Sequence, residues 1–166
     1  MQMALQATDI FEACRKGDLK LVKEIYNLDP TCMQLEDSKG FTPLILAVYN
    51  RQPALVNFLL DKGAKLDAAD TAGNTALMGV CFKGYKDIAE KLIEVGADVN
   101  QTNSQGATAL TFAATFGHIE IAEMLLENGA DIALRDARGK TPLDHARVQE
   151  NWEMYELLGK FESRIS

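Results

Sequence analysis

Histidine, cysteine and aromatic residues are scarce in this chain, and it has no long apolar run. The two histidines, His118 and His145, are too few to anchor a metal centre, which wants three or more ligands. The three cysteines, Cys14, Cys32 and Cys81, lie far apart, are odd in number and form no C-x-x-C pair. They argue against a disulfide framework and for free thiols in a reducing compartment. Aromatics make up 7% of a chain that is 47% hydrophobic overall. Ala and Leu therefore carry much of the apolar content, which suits helix-on-helix packing better than a sheet core. No stretch approaches the roughly 18 apolar residues of a spanning helix. The start, MQMALQATDIFEACRKGD, lacks the basic-then-apolar order of a signal peptide. A cytoplasmic protein with no membrane partner is expected. Basic residues are outnumbered, 17 against 24 acids for a net charge of −7. That balance argues against nucleic acid bound through bulk charge.

Catalytic motifs are missing as well. There is no G-x-G-x-x-G, no Walker loop and no G-x-S-x-G. Cys81 has Lys83 two residues away, yet a cysteine on an apolar helix is expected to be buried and inert. Acid pairs such as Asp87 with Glu90, or Glu120 with Glu123, fall on solvated helix faces and not around a scissile bond. No cofactor, no metal and no enzymatic activity are expected.

What the chain does have is a repeated phrase. Gly40-Phe-Thr-Pro-Leu44, Gly73-Asn-Thr-Ala-Leu77, Gly106-Ala-Thr-Ala-Leu110 and Gly139-Lys-Thr-Pro-Leu143 recur every 33 residues. A fixed period of this length signals stacked structural units that bury their apolar sides only against one another. Each phrase follows a turn signal beginning at Asp37, Asp70, Asn103 or Asp136. Its Thr (42, 75, 108 or 141) is placed to cap a short helix, and Pro43 and Pro142 sit where a missing N–H costs nothing. A second helix follows in each unit, with its apolar side at Leu55, Val56, Leu59 and Leu60, or at Ile88, Ala89, Leu92 and Ile93, and so on. Gly63, Gly96 and Gly129 close these helices in the left-handed conformation. Ahead of the first phrase, Thr8 or Asp9 is expected to cap an opening helix after a frayed Met1–Ala7. Asp29-Pro30 is expected to stop the helix after that one. Trp152 is expected to pack at the start of the last helix.

In wording and period these units resemble the ankyrin repeat. The tracts Asp136-Ala-Arg-Gly-Lys-Thr-Pro-Leu143 and Gly117-His-Ile-Glu-Ile-Ala-Glu-Met-Leu-Leu-Glu-Asn-Gly-Ala-Asp131 carry the likeness most fully, and it covers about residues 8 to 160. The resemblance implies an all-α solenoid of helix-turn-helix units with projecting hairpin-like loops. As one domain, 1–166, it would comprise an N-terminal capping repeat at 8–36, full repeats at 37–69, 70–102 and 103–135, and a C-terminal capping repeat at 136–166. Two departures stand out. The family's His after Thr-Pro-Leu is replaced by Ile45, Met78, Thr111 and Asp144, so the Thr-cap network must differ between units. The usual Gly between the helices is Arg51 in the second unit and Glu150 in the fifth, where positive φ would be strained.

The resemblance also implies protein recognition on a concave side made of loop tips and first helices. In this sequence those positions include six basic residues, Arg15, Lys16, Lys39, Lys83, Arg138 and Lys140, and no acid. The acids crowd the second helices instead. Asp37, Asp70 and Asp136, which begin the loops, can cancel part of the positive charge. The same side carries Phe41, Tyr49, Phe82 and Phe116, and aromatics beside Lys or Arg are the usual interface anchors. The expected partner-binding residues are Lys39, Phe41, Tyr49, Phe82, Lys83, Phe116, Arg138 and Lys140. They would receive a protein segment of acidic or mixed apolar character, with the chain acting as a monomer. Tyr49 and Phe82 could equally be plugs between first helices. Two rival functions stay open at this level: an inhibitor or immunity-type protein blocking one dedicated enzyme, and a self-stacking structural role.

Overall fold

The computed structural model describes residues 7–165; the expected frayed start at Met1–Ala7 lies almost wholly outside them. Ten helices follow one another in five pairs. The first members are α1 (Ala7–Lys16), α3 (Pro43–Tyr49), α5 (Ala76–Lys83), α7 (Ala109–Phe116) and α9 (Pro142–Val148). The second members are α2 (Leu19–Leu28), α4 (Pro53–Asp61), α6 (Lys86–Glu94), α8 (Ile119–Glu127) and α10 (Trp152–Ile165). Among the described residues there is no strand beyond one isolated antiparallel bridge, Ala69 to Thr75. The architecture is the all-α stack of helix pairs that the resemblance implies.

The first helices form one row, α1 on α3, α3 on α5, α5 on α7 and α7 on α9. In the second row α6 packs on α8 and α8 on α10. The 33-residue period translates directly into columns of the core. Ala47, Val80, Ala113 and Ala146 form a column of small side chains in the first row, all fully buried. Leu59, Leu92, Leu125 and Leu158 form a second column, and Leu55, Ile88, Ile121 and Met154 a third, each at most 2% exposed. Small residues let first helices approach closely, and branched or long ones fill the wider gap to the second row.

The helix starts are built as the threonines predict. Thr42 and Thr75 each accept from the amide three residues on, Ile45 and Met78. Thr108 and Thr141 do the same and are answered by Thr111 Oγ1 and Asp144 Oδ2, which accept from the threonine amides at 3.1 and 3.0 Å. The missing family histidine is thus made good by a reciprocal cap in two units and left single in the other two.

Three expectations change. Among the described residues the opening helix runs from Ala7, so Thr8 and Asp9 lie within its first described turn and not before it. Asp29 ends α2 as expected, but Pro30 then starts a 3-10 helix, Pro30–Gln34, whose amide at Thr31 is capped by Asp29. Trp152 begins α10 and is 58% exposed, its ring centre 5.9 Å from that of Tyr155 in a T-shaped contact. Arg51 and Glu150 do adopt positive φ, +50° and +53°. The Arg51 guanidinium lies over the Tyr85 ring at 5.1 Å, a contact that offsets part of the strain.

Between pairs, the loops bond to one another. The amides of Thr71, Ser104 and Ala137 donate to the carbonyls of Lys39, Ala72 and Gln105 at 3.1, 3.0 and 2.8 Å. Gly73 sits against this seam: a Cβ there would lie 2.9 Å from the Ser104 nitrogen, whereas a Cβ on Gly96 would meet nothing within 4 Å. Both have positive φ. Gly96→Ala should therefore cost only the backbone strain, about 1 kcal/mol. Gly73→Ala adds the displaced loop and should cost about 2 kcal/mol or more. Urea unfolding of the two variants measures the difference, and equal losses would show that the loop seam contributes nothing.

Candidate functional site

Each loop is shaped by one side chain. Asp37, Asp70, Asn103 and Asp136 occupy the same place in successive loops. In each, Oδ1 accepts from the amides two and four residues on, at 2.9–3.0 Å. These bonds hold the tip open toward the side of the first helices. They place Lys39 and Arg138 outward on the tips, and Phe41 and Lys140 one step further in and half-buried.

The expected aromatics come together in two pairs. Phe41 and Tyr49 stand 5.9 Å apart, tilted by 37°. Phe82 and Phe116 meet edge to face at 4.7 Å. Tyr49 packs on the backbone of α5, where a Cβ on Gly79 would come 3.0 Å from its ring. Burial, and then the Asp70 carboxylate, push its phenol above the ordinary range. Tyr49 therefore does act partly as a plug between first helices. Phe82 and Phe116 remain 40% and 47% exposed. A pocket of about 190 Å³ joins the two pairs, lined by Tyr49, Asn74, Met78, Phe82 and Phe112. A second of the same volume lies on the other side of Phe112, lined by Thr111, Thr115, Phe116, Arg138 and His145 among others.

Phe112 is the residue that sequence reasoning missed. It stands at the place of Gly79 in the unit before, so the repeat alone does not mark it as a surface ring. His118 is another. Its Nε2 lies 3.2 Å from the Phe82 carbonyl, and its ring fills the space a Cβ on Gly84 would need. It thereby fixes the end of α5 that carries Phe82 and Lys83.

The cations divide. Arg15 pairs with Asp37 at 2.8 Å and Lys16 with Glu12 at 3.0 Å, so both are neutralised. Lys39, Lys83, Arg138 and Lys140 make no ion pair among the described residues, and Lys83 Nζ lies 5.8 Å from the Phe82 ring centre. Asp136 makes no ion pair with Arg138, because both of its oxygens are engaged elsewhere. Oδ2 meets His145 Nε2 at 2.6 Å while Oδ1 holds the two loop amides. Burial pushes its carboxyl up. The Lys140 amide, the His145 ring and the Arg138 amide outweigh that and hold it below the usual carboxylate range.

The cysteines take no part in this site. All three are buried. Desolvation pushes the Cys14 thiol up to about 12 and raises Cys81 further still, which leaves no reactive thiolate near neutral pH. Among the described residues no group of three or more His, Cys, Asp or Glu could hold a metal ion, and no helix is long and apolar enough to cross a membrane.

Three overlapping matches to the family model for ankyrin repeats, at residues 10–103, 56–136 and 80–165, span nearly the whole described chain. The chain belongs to the ankyrin-repeat family, whose members are generally non-catalytic protein-interaction modules. It is 41% identical over 80 residues to Ankyrin repeat and SAM domain-containing protein 6 from Rattus norvegicus, a match covering 48% of this chain and 9% of that protein. It is 35% identical over 81 residues to Ankyrin repeat domain-containing protein 63 from Homo sapiens, covering 46% and 21%. A 60-residue match at 32% identity, covering 36% of this chain and 8% of that one, is to an enzyme, Palmitoyltransferase akr1 from Emericella nidulans. The chain thus matches only about a tenth of the length of several of these relatives.

The Asp136 network sets a pH dependence. Its folded carboxyl titrates below its unfolded value of about 3.9, so its stabilisation is complete above that pH and is lost as pH falls through the folded value. Asp144 has the same sign, its carboxylate held low first by the Thr141 amide. Thermal melts from pH 6 to pH 3 should show the melting temperature falling below about pH 4. Asp136→Asn, which copies Asn103, should keep the loop and flatten that fall. An unchanged slope would mean that the network is not coupled to folding.

Proposed function

We propose that this chain is a non-catalytic recognition module that binds a partner protein through its loop tips and first helices, the concave face of the solenoid. The observation that carries the reading is the Phe82–Phe116 pair. Two large aromatic rings are locked edge to face and left 40% and 47% exposed beside Lys83, which makes no ion pair among the described residues. Isolated exposed apolar residues are ordinary, but a preorganised aromatic pair flanked by charge is the composition of an interface anchor. Tyr49 and Phe41 extend the strip toward the second unit, with Lys39, Arg138 and Lys140 along its rim. Rim cations steer encounter more than they set affinity, and they favour an acidic or mixed apolar segment. The same reading takes the chain as one domain with capping repeats at 8–36 and 136–166 around three full repeats. It takes the protein as a cytoplasmic monomer that binds neither nucleic acid nor membrane.

The test is a lysate pull-down with the chain and its Phe82→Glu/Phe116→Glu variant as parallel baits, circular dichroism confirming that both are folded. Prey held by the first and lost from the second is the expected result. Prey shared equally by both baits would move the binding surface away from the aromatic strip.

A further inference from the structure

Phe112 separates two pockets of equal size and unlike chemistry. On one side lie Tyr49, Met78 and Phe82, an apolar wall with Asn74 as a polar group. On the other side Phe116 and Thr115 face the loop that carries Arg138, with His145 on the next helix. Each pocket holds about 190 Å³. That is below the roughly 300–1,000 Å³ of sites that enclose a drug-sized ligand, and it suits a single side chain of a bound segment. The carboxylate of the second pocket, Asp136, is consumed by two amides and by His145. The Arg138 guanidinium above it makes no ion pair among the described residues. The group left free to pair with a ligand is therefore the Arg138 guanidinium, whose planar fork is suited to a carboxylate.

Resting on the binding face proposed above, we propose that the two pockets read a bipartite signal in one extended segment of the partner protein. A large apolar side chain fills the Tyr49–Met78–Phe82–Phe112 pocket. An Asp or Glu lies over Phe116 and Thr115 and pairs with Arg138. The pockets are one interhelical step apart, about 8–10 Å. At roughly 3.3 Å per residue, the two side chains stand two or three residues apart in the segment. The acidic residue lies toward the fifth helix pair.

A phage library of random linear dodecapeptides panned on the intact chain tests this. Parallel pannings use Arg138→Glu, Phe112→Ala and Phe82→Glu/Phe116→Glu, each checked by circular dichroism. The expected families carry Asp or Glu two or three residues from Leu, Ile, Met or Phe. Arg138→Glu should cut their enrichment about fivefold or more and select Lys or Arg at the acidic place. Phe112→Ala should keep the acid and relax the size of the apolar residue, and the double variant should lose the families altogether. Families without the acid, or with an acid that Arg138→Glu leaves unchanged, would overturn the bipartite signal while leaving the binding face intact, provided the double variant still loses them. Families that survive the double variant would overturn the binding face as well, and so would a library that yields no enriched family.

Discussion

The backbone bond from one loop to the next is the constraint on which the rest of this molecule depends. Thr71, Ser104 and Ala137 each donate an amide to the carbonyl of the residue 32 positions earlier. A bond between backbones, with no side chain to adjust, fixes both the distance and the register of successive pairs. It explains why the phrase around Gly40, Gly73 and Gly106 recurs at a strict 33 residues, because one inserted residue would shift the donor past its acceptor. A parallel tie runs along the far edge. The side-chain oxygens of Asp67 and Asn100 accept from the amides of Asp98 and Asp131, at 3.0 and 2.7 Å. With both edges pinned, the helices between them have little freedom in how they pack.

The columns of the core follow from that pinning. Ala47, Val80, Ala113 and Ala146 face one another at a spacing set by the loops, and a larger residue in the row would push against backbone that cannot yield. The pinning does not close every gap. The far edges of the second and third pairs are tied by the Asp98 amide on Asp67 and by Gln101 on the Asp67 carbonyl. There α4 and α6 part around a cleft of about 300 Å³, lined by Pro53, Val56, Asp87 and Glu90 among others. The cost of Arg51 at positive φ falls beside the same place, at the turn into α4.

The parts of the structure legible in the sequence are those that must repeat. The period, the threonine caps and the closing glycines each answer a backbone need that only one or a few residue types meet, and so they stand out against variable neighbours. The four rings of the proposed face, which the structure brings into two pairs, stood out for a related reason, since set positions in the unit carried aromatic residues. Contacts peculiar to one unit were not. Arg15 is a plain basic slot until Asp37 is seen 2.8 Å away in the next unit. Phe112 replaces a glycine position whose direction only the packed neighbours reveal. Pro30 reads equally well as a stop or as the first residue of a 3-10 helix, because its fixed φ serves both. Trp152 has the size of a core residue but falls on the outer side of its helix, where no column passes.

The proposed binding face is built from what the repeat leaves over. Residues that bond loop to loop or fill a column cannot vary without breaking the stack, so they cannot carry specificity. Tips and outer positions of the first helices are free in composition but fixed in place, because the amides beneath them are held by Asp37, Asp70, Asn103 and Asp136. His118 shows how the two layers join. It belongs to the repeat as the residue before a second helix, yet its ring fills the space over Gly84 and its Nε2 meets the Phe82 carbonyl. A structural side chain from one pair therefore sets the end of the helix that carries Phe82 and Lys83 in the pair before. The exposed Phe82–Phe116 contact inherits its geometry from that bond. The rings are ordered in the chain by itself, so binding on the proposed face would lose less conformational entropy than binding on a mobile surface.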